Sequence, residues 1–290
     1  MPKSSISTIT FAGLVIRFYF PTLLDLPTEF TAFLTEDTRK PDAEYEIRLL
    51  DTPLRIESGP IICRNGMRIY PYKDSWLRVY PALTAKDGCQ VACFLCPDGK
   101  NILYYPASRW DFYSNELHLL HLIGIEDVLL HHDAFLLHSS VVRSEGQAIL
   151  FSGPSGIGKS TQAALWNQYL GADILNGDRC IIRKTTAGFC GCGSPWAGSS
   201  GIRRREQAPI KGIFLLKQSD TNQIRRVGSE GFSRLFNQTI VNTWNSDFVD
   251  KLSSLIGELL EQIPVYELSC RPDEKAVRLA YDTLFKQGGI

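Results

Sequence analysis

Residues 148–166 read AILFSGPSGIGKSTQAALW. Ala148 to Ser152 is a short apolar run of strand type. Thr161 to Tyr169, with Ala163, Ala164 and Leu165, predicts a helix. Between them Gly153-Pro154-Ser155-Gly156-Ile157-Gly158-Lys159-Ser160 fits the G-x-x-x-x-G-K-[ST] pattern in full, and Thr161 follows. The glycines allow a turn that few other residues can make. Backbone N–H groups of such a loop point inward at a helix N-terminus, where the helix dipole also favours an anion. The pattern therefore predicts nucleotide binding. Lys159 would reach the β- and γ-phosphates, and the Ser160 hydroxyl would ligate Mg²⁺ with Thr161 as a weaker helper.

Phosphoryl chemistry also needs a carboxylate that holds Mg²⁺, and a base for the acceptor. Asp178 is the candidate, because it sits just past the apolar strand predicted over 172–176. Asp173 competes, but it lies at the start of that strand, the end away from the phosphates. Gly193 to Gly201 is a glycine- and serine-rich loop containing Trp196, closed by Arg203-Arg204-Arg205. The arginines fit a solvated face or a phosphate clamp. Trp196 fits an acceptor pocket or a cover on the sheet. His138 fits a sheet histidine or a group near phosphate.

Composition narrows the class. The chain has 290 residues and a formal net charge of zero, so no global field draws nucleic acid or an anionic membrane. No apolar run approaches a membrane span, the N-terminus does not resemble a signal peptide, and the expected location is cytoplasmic. Cys89, Cys93 and Cys96 have C-x₃-C-x₂-C spacing, but they fall on a strand-like segment whose alternation sends Cys96 to the other face. All eight cysteines are read as reduced thiols.

Residues 1–110 are rich in short β-type segments: one from Ile9 to Phe20, others over 45–50, 55–58, 67–72 and 76–80, and a hairpin over 90–105, with Asn65-Gly66 as a turn signal. A helical stretch follows Ser114, divided at Gly124. Helices are expected over 229–243, 246–262 and 272–285, and strands over 210–217 and 265–268. The fold class is α/β: a β-rich N-terminal domain over 1–125 precedes a P-loop domain with a mixed central sheet over 126–290.

Leu137-His138-Ser139-Ser140, the run Gly153 to Thr161, and Asn176-Gly177-Asp178-Arg179 together resemble the catalytic domain of HPr kinase/phosphorylase, which shares a P-loop core with phosphoenolpyruvate carboxykinases. The resemblance covers about residues 126–290. Gly193-Ser194-Pro195-Trp196 and Pro264 to Leu268 look like the subgroup found beside peptide-modifying enzymes, some of which phosphorylate a serine of a ribosomal peptide. What the resemblance implies is a kinase using ATP and Mg²⁺, with Ser160 and Asp178 on the metal, Lys159 on the transferred group and His138 near the phosphates. The acceptor would be a hydroxyl of a peptide, a protein or a small molecule, and the family's ring-like assemblies leave a homo-oligomer open. One departure stands out. The family carries two consecutive aspartates where this chain has Gly177-Asp178, so either Asp178 serves two roles, or His138 becomes the base, or the reaction differs. The alternative is a nucleotide-binding accessory or regulatory protein of a peptide-modification pathway, without kinase activity. A further rival is a binding protein centred on the N-terminal region.

Overall fold

The N-terminal apolar segment forms a hairpin and not the single segment expected from Ile9 to Phe20. Strands β1 (Ser5–Phe11) and β2 (Leu14–Phe20) turn at Ala12 and Gly13, whose φ angles are +49° and +72°. Two consecutive left-handed residues make the tight turn that matches strand twist. The computed structural model describes residues 5–21, 24–51, 56, 59–64, 67–72, 75–80, 91–95, 100–106 and 116–286. The expected strand over 55–58 (Ile56 apart), the Asn65-Gly66 turn, Cys89 and Cys96 lie outside them.

Six more strands follow: β3 (Ala43–Leu50), β4 (Ile62–Arg64), β5 (Met67–Tyr72), β6 (Ser75–Tyr80), β7 (Val91–Phe94) and β8 (Lys100–Pro106). They complete an eight-stranded sheet of order β1-β2-β3-β8-β7-β6-β5-β4. Both neighbours of β3 run parallel to it, and the other pairs are antiparallel. Alternation puts Ile9, Phe11, Phe18, Phe20, Tyr45, Ile47 and Cys93 in the core. A 3₁₀ turn at Thr28–Phe33 adds Phe30 and Phe33.

Helices α1 (Glu116–Leu122) and α2 (Ile125–His131) are separated at Gly124, where φ is +62°. A Cβ there would lie 2.7 Å from Leu95 Cδ1 and 2.9 Å from Arg78 Nε, so the break needs glycine. Arg78 of β6 is fully buried. Its Nη1 donates to Glu126 Oε1 at 2.8 Å and to the His121 carbonyl at 3.2 Å, and its Nη2 pairs with Asp127. Burial opposes the charge, but the two carboxylates outweigh it and hold the guanidinium pKa above its usual value. The Tyr45 hydroxyl donates to the Ile123 carbonyl at 2.8 Å.

The chain divides into two units, Met1–Val128 and Leu129–Ile290. The second contains β9 (Ala134–Ser144), β10 (Gln147–Ser152), α3 (Lys159–Leu170), β11 (Asp173–Asn176), β12 (Arg179–Thr185), β13 (Gly188–Cys192), β14 (Gln207–Gln218), β15 (Gln223–Arg226), α4 (Glu230–Phe236), α5 (Ser246–Gln262), β16 (Val265–Cys270) and α6 (Glu274–Phe285). Its sheet is mixed, and two long strands each pair with three others. The first half of β9 pairs antiparallel with β12, and the second half with β10 and β11. The start of β14 pairs with β13, its middle runs parallel to β10, and its end runs parallel to β16.

Period-two alternation then loads both faces. Ala148 and Leu150 pack with Leu252, Ile256 and Leu259 of α5. Ile149 and Phe151 pack with Trp166 of α3 and Val277, Ala280 and Leu284 of α6. Helix α4 stops at Phe236, short of the expected 243. The chain beyond it turns to the sheet: Thr239 bridges Leu137, and Gln238 accepts from the His138 N–H at 2.8 Å. Tertiary pairing overrides the helical spacing. No helix among the described residues is long and apolar enough to cross a membrane.

Arg78→Ala should destabilise the chain by about 3–5 kcal/mol, because it strands two carboxylates beside the core. Arg48→Ala breaks the exposed pair with Glu46 and should cost under about 1 kcal/mol. Denaturant unfolding of the full chain compares the two, and equal costs would refute the buried ion pair as the anchor of α1 and α2.

Candidate functional site

Strand β10 ends at Ser152 and helix α3 begins at Lys159. The loop between them turns on Gly153, Gly156 and Gly158, with φ of +147°, +78° and +112°, a region costly for any residue with a Cβ. Gly158 is the N-cap of α3, and no side chain caps that end. Its first N–H groups are therefore left to the loop or to an anion.

Lys159 is 7% exposed and lies back along the loop. Its Nζ donates to the carbonyls of Gly153 at 3.0 Å and Pro154 at 3.1 Å. Burial lowers its pKa, and Asp178 partly offsets the effect. The Ser160 hydroxyl donates to the Gly177 carbonyl at 3.0 Å, which ties the first turn of α3 to the turn carrying Asp178. The His138–Ser140 run braces the same place. Buried Ser140 donates from Oγ to the Lys159 carbonyl at 2.8 Å, and Ser152 Oγ donates to the His138 carbonyl at 3.0 Å.

The Asp178 turn is built around Asn176, which is fully buried. Its Oδ1 accepts the N–H groups of Asp178 at 2.9 Å and Arg179 at 2.8 Å. Its Nδ2 donates to the Ser194 carbonyl at 3.1 Å, to Ser194 Oγ at 3.2 Å and to the Trp196 carbonyl at 2.6 Å. Ser194 Oγ in turn donates to the Arg179 carbonyl at 2.6 Å. The glycine- and serine-rich loop is thus clamped onto the turn. A Cβ on Gly198 would lie 2.5 Å from Asp178 Cβ, and a Cβ on Gly177 only 2.1 Å from Ser200 Oγ and 2.6 Å from Ser200 Cβ. Glycine at 177 is a steric requirement of this loop, which leaves no room there for a second carboxylate beside Asp178.

Three basic side chains converge on Asp178. His138 Nε2 lies 3.4 Å from Oδ1, and Arg179 Nε lies 3.5 Å from Oδ2. The hydrogen bond from His138 is the main cause that lowers the Asp178 pKa; burial opposes it, and Arg179 and Lys159 add to it. Arg179 also stacks over Trp196, its Cζ 5.7 Å from the ring centroid. Trp196 is buried, so it covers the core and does not line an open pocket. The rival Asp173 is elsewhere, bound to Arg143 at 2.7 Å on the strand's far end. Arg204 belongs to that surface network, 3.6 Å from Asp173 and 3.9 Å from Glu206. Among the described residues no group of three or more His, Cys, Asp or Glu side chains could hold a metal. Ser160 and Asp178 are the oxygen donors that the turn and loop bring to one place.

Beside the loop, a cleft of about 530 Å³ runs from Gly156, Gly158, Thr161 and Gln162 to Ser219 and Arg271, past the ends of β14 and β16. Pro154, Ser155 and Ile157 complete the loop, and Ile157 packs on the α3–α6 face of the sheet. Sequence reasoning missed Asn176, Ser140 and Arg179 as parts of the site. Asn before Gly-Asp signals a turn, but nothing in the sequence says that its amide is buried.

No family model matches the chain, and no curated protein matches it. Among solved structures it is similar to the HPr(Ser) kinase/phosphatase from Coxiella burnetii, at 13% identity and a TM-score of 0.30. That match covers 52% of this chain and 88% of the other. A likeness this distant leaves the chemistry of the present chain to its own residues.

Gly177→Ala should lower stability by about 1–3 kcal/mol through overpacking against Ser200. Ser200→Gly removes both atoms in the way, so the double variant should recover most of the loss. A double-mutant cycle by thermal unfolding checks this, and strictly additive costs would remove Ser200 as the reason for the glycine.

Proposed function

We propose that the 129–290 unit is an ATP- and Mg²⁺-dependent phosphotransferase acting on a hydroxyl of a peptide, a protein or a small molecule. One observation carries the reading: the Ser160 hydroxyl is bonded to the turn that presents Asp178, with Lys159 and His138 at the same carboxylate. The donor set suits the ion, because a hydroxyl and a carboxylate are hard oxygen ligands of the kind Mg²⁺ takes. Bound there, Mg²⁺ would neutralise charge on the phosphates.

The chain's own groups then divide the work. Glycine-rich backbone from Gly153 to Thr161 wraps the phosphates. Lys159 exchanges the Gly153 and Pro154 carbonyls for phosphate oxygens, which its partly desolvated ammonium holds more strongly than water would. Asp178 stays ionised, since its pKa is lowered, and so serves as a ligand but is a poor proton acceptor. His138, oriented by that carboxylate, takes the acceptor's proton as the hydroxyl oxygen bonds to the γ-phosphorus and the electron pair of the broken bond leaves on ADP. The steric bar to a second aspartate at 177 supports this division. The same single carboxylate, flanked on both oxygens by His138 and Arg179, also supports the rival reading of a nucleotide-binding accessory protein without transfer activity.

Lys159→Ala should weaken ATP binding at least about tenfold, and Asp178→Asn should abolish the gain in affinity given by Mg²⁺. His138→Gln should keep Mg·ATP affinity and lose about 10²–10⁴ in turnover. Calorimetric binding beside phosphate release checks all three. A wild type that binds Mg·ATP but never turns over, with any hydroxyl acceptor tried, would favour the accessory reading.

A further inference from the structure

The sequence offers Arg203-Arg204-Arg205 as the phosphate clamp, yet Arg204 is engaged in the Asp173–Glu206 network and a different arginine stands at Asp178. We propose that Arg179 is the charge-stabilising arginine of the transfer site, contacting the γ-phosphoryl group of bound ATP. This rests on the kinase reading above and adds a residue to it.

Four features fix Arg179 for that task. Its backbone is pinned on both sides, the N–H by Asn176 Oδ1 and the carbonyl by Ser194 Oγ. It opens β12 directly opposite His138 on β9, so the two share a face at the sheet end that receives the P-loop. Its guanidinium lies over the Trp196 ring, its Cζ 5.7 Å from the centroid, so that the ring backs the face of the fork. Its side chain is 24% exposed, open enough to be reached from solvent yet backed by protein.

Charge makes the same point. Lys159, His138 and Arg179 surround one carboxylate. Asp178 alone does not balance the Lys159 ammonium and the Arg179 guanidinium, so the place is electropositive and draws a multiply charged anion. A guanidinium presents several donors in one plane and can hold Asp178 with one while turning others to the equatorial oxygens of a transferring phosphoryl group. The γ-phosphate is the part of ATP that ADP lacks, so this contact predicts a preference between the two.

The test is calorimetric titration of the full chain with Mg·ATP and with Mg·ADP, at fixed pH and salt. Wild type, Arg179→Gln, Arg179→Lys and Arg204→Gln are compared. Arg179→Gln should weaken Mg·ATP binding tenfold or more while changing Mg·ADP by less than twofold. Arg179→Lys, which keeps charge but not the fork, should recover part of the loss, and Arg204→Gln should match wild type. Equal weakening of both nucleotides, or no weakening of either, overturns the proposal. If Arg179→Gln fails to fold, Arg179→Lys decides: an ATP-to-ADP affinity ratio equal to wild type overturns it, and a ratio reduced two- to fivefold upholds it. A wild type that binds neither nucleotide removes the kinase reading itself, and the Arg179 assignment with it. A wild type that binds ATP with no dependence on Arg179 removes the assignment alone.

Discussion

The side-chain amide of Asn176 holds the candidate site together. A buried amide must find partners for all its polar atoms, because each one left unpaired costs about 1–3 kcal/mol. Here the acceptor takes two successive backbone N–H groups and the donors reach across to Ser194 and Trp196. One side chain thereby fixes a turn, a loop and the start of a strand relative to each other. Everything else at the site is referred to that turn: Ser160 through the Gly177 carbonyl, His138 and Lys159 through the carboxylate of Asp178.

The sheet supplies the second constraint. Because β9 lies between β10 and β12, His138 stands opposite Arg179 at the start of β12 while the next residue, Ser139, stands opposite Ser152 at the end of β10. The same register lets Ser140 reach the helix backbone at Lys159 while His138 faces the carboxylate, two residues apart on one face. Burial on both sides of β10 keeps this frame stiff, with α5 packed on one face and α3 and α6 on the other.

Much of the core was legible in the residues because its signals are local. The strand and helix flanking residues 153–158, and the placing of Asp178 just past one end of the 173–176 strand with Asp173 at the other, follow from chain order and strand direction alone. What stayed hidden depends on where side chains meet at long range. Arg179 and the Arg203-Arg204-Arg205 run look alike as basic residues after a turn, and only the partners of Arg204 separate them. The helix expected to reach 243 ends at Phe236 because Gln238 and Thr239 find partners on β9, which no helical period can foretell. In the N-terminal unit the hairpin at Ala12-Gly13 was missed because alanine rarely accepts a left-handed φ. Arg78 reads as an ordinary strand arginine until Glu126 and Asp127 come to meet it.

The contact between Gly177 and Ser200 has a consequence for how this site can be altered. Position 177 has no room for even a methyl group while a side chain stands at 200. A second carboxylate therefore cannot enter this loop at 177 without displacing the side chain at 200. The loop has to open first, by shrinking or shifting residue 200, before a second acid can enter. The order of changes is constrained: as long as the loop is closed on a glycine, it holds one carboxylate.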